Sequence, residues 1–283
     1  MSEIGTGHTS TSAVKRAAAN PLVELLERLG YVARGALYAV TGLLALGIAL
    51  GIGGGQATDL SGSLVFLIGN PLGKLVLIAF AIGLAAYSLW GFIRAIYDPL
   101  HRGSDASGYA ARLGFLTSAL SYAAIVIFAL QILSGSGGAS GDSTQKTIAS
   151  VLTHPAGGWL TILIGLVTIV VGLGQFLEAY RAGFARDLKG AEMSASERDV
   201  VVKLGRFGMF ARGVIFLVIG WFLMQAGLHH DPGQVQGFGG AFLFLLGQPF
   251  GRVLLGIVAL GFVALGLHSF ACARWIRLMG SSR

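Results

Sequence analysis

Six apolar runs, each long enough to cross a lipid bilayer, constrain this chain more than any other feature. They cover residues 31–52, 72–97, 113–133, 157–178, 207–228 and 250–276, with polar breaks between them. A hydrocarbon core about 30 Å thick takes roughly 20 apolar residues in helical form. Lipid offers no partner to a backbone N–H or C=O, and the runs are too long and continuous for barrel strands. The expected fold is therefore all-α: a polytopic membrane protein with six transmembrane helices. Composition agrees, because 54% of the residues are hydrophobic and only 12% are charged, against about 25% charged in soluble domains. Many of the 44 glycines sit inside the apolar runs, where small residues let helices approach closely.

Basic residues set the expected orientation, since the cytoplasmic side of a membrane protein keeps the excess of Lys and Arg. Of the 20 present, only Lys74, Lys146 and Arg252 fall at one end of the runs, so both termini are expected in the cytoplasm. The net charge of +7 is then a topology signal, and nucleic acid is not an expected partner. No short apolar segment with a cleavage site precedes the first run, so no removable signal peptide is expected. Residues 1–27 read as a cytoplasmic tail ending in a short interfacial helix that starts at Pro21.

The chain repeats itself three times. Arg28-Leu29-Gly30, Arg112-Leu113-Gly114 and Arg206-Phe207-Gly208 open the odd-numbered runs, and Pro71-Leu72-Gly73, Pro155-Ala156-Gly157 and Pro249-Phe250-Gly251 open the even-numbered ones. Gly30 to Pro71, Gly114 to Pro155 and Gly208 to Pro249 are each 41 residues apart. Expected units are 28–105, 112–189 and 206–283, with a cytoplasmic linker over 190–205. Each proline suits the first helical turn, where its missing N–H costs no bond. Short apolar segments ahead of the prolines, at 64–68, 148–152 and 242–246, are expected to lie at the outer interface or dip into it. Units of two spans insert in one orientation, giving a pseudo-threefold bundle of hairpins around an axis along the membrane normal.

This pattern, with Ala33-Arg34-Gly35 and Ala211-Arg212-Gly213 in the first and third copies, resembles the bacterial membrane family catalogued as domain of unknown function 1206. The resemblance covers nearly the whole chain and implies six spans in a bacterial inner membrane, with no assigned activity. The middle copy departs from it, carrying Thr117-Ser118-Ala119.

Ionisable groups in membrane helices are costly and so are candidates for function. Arg34 and Arg212 occupy equivalent positions, with Ser118 in the middle copy. The plain expectation is that both arginines snorkel to the interface or hold lipid phosphate; the sharper one is an internal pair of cations. Arg94, Glu178 and Cys272 share a second symmetric level, and an interhelical ion pair of Glu178 with Arg34, Arg94 or Arg212 is expected. One turn earlier stand Trp90, Gly174 and His268. A lone histidine such as His268 is expected to be hydrogen-bonded packing, because no second ligand stands at metal-binding spacing. Tyr38, Tyr122 and Phe216 match across the copies and are expected to pack.

No phosphate loop, zinc-protease motif, nucleophile elbow or pair of intramembrane carboxylates occurs, so no enzyme, cofactor or metal is expected. Largely apolar midplanes favour a non-enzymatic membrane scaffold or envelope protein. A channel or transporter of a small solute or ion along the axis is the alternative, kept open by the broken symmetry at the polar levels. A third reading is lipid handling, with Arg34 and Arg212 gripping a headgroup. Expected partners are the bilayer and anionic headgroups at the cytoplasmic face.

Overall fold

The computed structural model of the protein describes residues 21–52, 71–97, 106–134, 145 and 148–275. These form α1 (Pro21–Leu50), α2 (Pro71–Tyr97), α3 (Ala106–Leu133), α4 (Gly157–Arg181), α5 (Ala195–His229), the short α6 (Phe238–Leu246) and α7 (Gly251–Trp275), with no strand among them. All but α6 contain a stretch long and apolar enough to cross a membrane. On α4, Trp159 and Tyr180 are 77% and 82% exposed. Their separation along the helix is about 30 Å at 1.5 Å per residue, so they mark both edges of a bilayer-thick apolar belt.

Two sequence expectations about helix ends are corrected. The interfacial helix ahead of the first span is not separate, because α1 runs unbroken from Pro21. Gly30 does not interrupt it: a Cβ there would lie 2.9 Å from Tyr87 Cβ, so the glycine serves close packing. Pro155 and Pro249 precede their helices by two residues rather than sitting in the first turn. The helices begin at the following glycines, where a Cβ would lie 2.0 Å from the Val151 carbonyl oxygen at Gly157 and 1.9 Å from that of Leu246 at Gly251. The Pro-x-Gly signature is thus a tight corner against the preceding short segment. Pro71 does open α2, whereas segment 64–68 lies outside the described residues. Part of the expected 190–205 linker is helical, since Ser194 and Glu197 form a capping box that starts α5.

The tightest packing joins neighbouring units rather than the two helices of one hairpin: α2 on α3, α4 on α5, and α7 on α1. Small residues at equivalent positions explain this. Gly158, Gly165 and Gly172 of α4 face Gly227, Gly220 and Gly213 of α5, with a Cβ on any of them meeting the partner helix at about van der Waals overlap. Gly35 meets Gly266 in the same register between α1 and α7, and Ser88 donates to the Ala119 carbonyl at 2.8 Å between α2 and α3. Inside units one and three the hairpins also close, through Gly83 against Ala33 (2.9 Å from a Cβ) and Gly261 against Ala211 (2.2 Å). The middle hairpin does not close: α3 and α4 are not packed on each other. Its equivalent pair is Val167 and Thr117, too bulky for the same approach, and Gly114 has nothing within 4 Å of a Cβ. The result is a ring of six spans with one open seam.

Two of the three repeat-opening arginines cap the end of a helix from another unit. Arg28 donates to the carbonyl of Ala273 at 2.9 Å, and Arg112 donates to those of Ala95 and Ile96 at 2.8 and 3.0 Å. A guanidinium there satisfies orphan carbonyls and complements the negative end of the helix dipole.

Candidate functional site at the bundle axis

Equivalent residues of different units meet at the centre of the ring. Tyr38 and Tyr122 are both buried, and their hydroxyls lie 2.7 Å apart. The Arg34 guanidinium donates to the Tyr87 hydroxyl and lies 5.6, 5.3 and 6.0 Å from the ring centroids of Tyr38, Tyr87 and Tyr122. Arg212 lies 5.9 Å from the same Tyr38 ring and 4.9 Å from that of Phe216. Two arginines therefore share one tyrosine inside the protein.

This corrects the snorkelling expectation. Arg212 is 8% exposed and Arg34 is half-buried, and both Nε atoms are enclosed without a hydrogen-bond partner. The reason is steric and local: Gly35 and Gly213, next in sequence, seat against Gly266 and Gly172. That contact holds the faces bearing Arg34 and Arg212 in the ring, not toward lipid. Among the described residues no carboxylate pairs with either arginine. Burial costs each ion several kcal/mol, while each ring contact returns about 0.5–2 kcal/mol. Aromatic rings and phenols thus soften two positive charges without neutralising them. Ser118 holds the third equivalent position in the repeat and is half-buried, so the middle unit contributes no third arginine.

The second polar level is not brought into this cluster. Arg94 stacks on Trp90 and Phe115, at 5.0 and 5.6 Å. Glu178 forms no ion pair with Arg34, Arg94 or Arg212, contrary to expectation. Its carboxylate accepts the backbone N–H of Phe184 at 2.7 Å, just beyond the left-handed residue Ala182 that ends α4. The acid is thus spent on the local turn that follows α4. That turn lays Phe184 on His268, with ring centroids 4.9 Å apart. His268 Nδ1 donates to the Val201 carbonyl at 3.0 Å, leaving Nε2 to accept from the Cys272 thiol at 3.4 Å. Among the described residues no group of three metal-ligating side chains occurs.

Tyr87 was not singled out by the repeat pattern, since Val171 and Leu265 take its place in the other units. Only its polarity within an apolar run hinted at a role. Phe238 and Phe242 of α6, packed on Phe262 at 5.9 and 5.7 Å, close the axis at the end away from the arginines. Phe262 in turn meets Tyr38 at 5.8 Å.

Comparison with known proteins agrees with the threefold architecture. The family described as Domain of Unknown Function (DUF1206) matches three times, over residues 29–98, 113–182 and 207–275. An uncharacterized protein of Bacillus subtilis, YxxB, is 36% identical over 249 residues, covering 88% of this chain and 90% of its own. No solved structure matches the chain. With three tandem matches and a relative aligned over nearly the full length, the chain belongs to the DUF1206 family of helical, membrane-type proteins.

Proposed function

We propose that the protein is a non-enzymatic scaffold of the bacterial inner membrane whose state responds to an anionic group bound at its axis, with the basic end in the cytoplasm. The observation that carries this reading is the pair Arg34 and Arg212, both against Tyr38, enclosed and without a carboxylate. A purely structural scaffold gains nothing from two uncompensated cations, whereas an anion between them offsets the desolvation that each has already incurred. The Tyr87 hydroxyl, and whichever of the paired Tyr38 and Tyr122 hydroxyls does not donate to the other, keep a proton of the kind an oxyanion takes.

Continuous transport along the axis is the second reading. The break in symmetry at Ser118 favours it, but the aromatic packing of Tyr38, Phe262, Phe242 and Phe238 opposes a through-path in this conformation. Binding is the simpler function for a site closed at one end.

The test is thermal unfolding of the purified protein with increasing inorganic phosphate or sulfate, at constant ionic strength set with a bulky organic salt. Ligand at about 100 times its Kd adds roughly 2.7 kcal/mol of stability, so a clear rise in Tm is expected for the parent protein. Arg34→Gln with Arg212→Gln should abolish the rise. An equal response in the double variant, or none in the parent protein, overturns the proposal.

A further inference from the structure

The open seam of the ring lies in the unit that lacks an axial arginine. In units one and three, glycine faces alanine across the hairpin and the two helices close; the middle unit carries Thr117 and Val167 at those positions, and α3 and α4 are not packed on each other. Burial follows: 22% and 17% of the apolar windows of α3 and α4 are buried, against 44% to 56% for the other four spans. Gly114 is exposed at this seam. Ser118, one turn deeper on the same helix, is half-buried at the register of Arg34 and Arg212. The departure of Thr117-Ser118 from Ala-Arg therefore coincides with the unpacked hairpin and with the lack of an arginine side chain at that level.

We infer that the anionic group is the headgroup of a membrane phospholipid, entering sideways between α3 and α4 with its acyl chains left against the apolar seam. The inference rests on the anion-binding reading above and names its ligand class. Charge and depth carry it. Arg34 lies six residues beyond Arg28, which caps the end of α7, so it is about 9 Å inside the basic end. That is the depth to which interfacial groups reach at the boundary of headgroups and chains. Arg34 as a whole is half-buried, with its Nε enclosed among the tyrosines. Leu113 and Leu120 of α3 and Val167 and Val170 of α4 are 64%, 54%, 49% and 59% exposed, providing an apolar wall for chains beside a cationic centre. A soluble anion has no use for a lateral opening into lipid.

The experiment is native mass spectrometry of the full-length protein titrated with phosphatidylglycerol or with phosphatidylcholine of the same chains, alongside the inorganic phosphate unfolding assay. One phosphatidylglycerol is expected to be retained in preference to phosphatidylcholine, and Arg34→Gln with Arg212→Gln should remove that preference. Gly114→Trp fills the seam where a side chain meets nothing. It should weaken retention about tenfold, equivalent to 1.4 kcal/mol, while leaving both arginines in place; Gly114→Leu serves if tryptophan prevents folding. Equal retention of the two lipids, together with arginine-dependent stabilisation by phosphate, overturns the lipid inference and leaves anion binding standing. Retention of phosphatidylglycerol unchanged by the seam variants overturns lateral entry. No arginine-dependent response to either probe overturns both.

Discussion

Glu178 shows how a single acidic residue in a repeat can be read correctly for place and wrongly for partner. Its position at the end of α4 was legible from the register shared with Arg94 and Cys272. Its partner was not, because the turn that presents the Phe184 N–H lies in an irregular segment whose path no periodic pattern along the sequence reveals. Glu178→Gln should cost about 1–2 kcal/mol of stability through loss of a charge-assisted hydrogen bond to backbone, measured by thermal unfolding. Since Phe184 covers His268 and leads on to Cys272, the same variant should also speed maleimide reaction at Cys272. The effects of Glu178→Gln and Arg212→Gln should add, as they do for residues that share no contact. A coupling energy above about 0.5 kcal/mol between the two would restore the ion pair that the geometry replaces.

At the scale of helices, the contrast between glycines is the sharpest handle. Gly165 and Gly114 both lie in apolar runs, yet a Cβ on Gly165 would stand 2.8 Å from the Gly220 carbonyl oxygen, and one on Gly114 meets nothing. Gly165→Leu should force α4 from α5 and cost about 2 kcal/mol or more, in the range of overpacked cores. Gly114→Leu should leave thermal stability near that of the parent protein. Comparable losses from both substitutions would show that the middle hairpin is closed. The seven-residue spacing of Gly158, Gly165 and Gly172 was visible in sequence, as was the Thr117 departure, but neither identifies the facing helix. The hairpin expectation assigned packing to the two helices of each unit. In the structure the closest surfaces join α4 to α5 and α7 to α1, because those interfaces place glycine opposite glycine or another small residue at successive turns.

At the scale of the whole molecule, the basic end should face the cytoplasm. In a Cys272→Ser background, Ser194→Cys at the start of α5 should react with an impermeant maleimide only in inside-out vesicles, and Gln234→Cys between α5 and α6 only in right-side-out ones. The reverse pattern would place the axial arginines toward the outer face. Periodicity, length and charge in the amino-acid sequence alone determined six helical spans, three equivalent units and the register at which Arg34, Ser118 and Arg212 correspond. Those properties are local or repeat along the chain, and lipid leaves the backbone no alternative to helix. Only the tertiary structure decided that the arginines turn inward onto Tyr38 and that the ring closes everywhere except between α3 and α4. Both depend on which small residues meet across space, and a gap of a few ångströms between facing side chains has no signature along the chain.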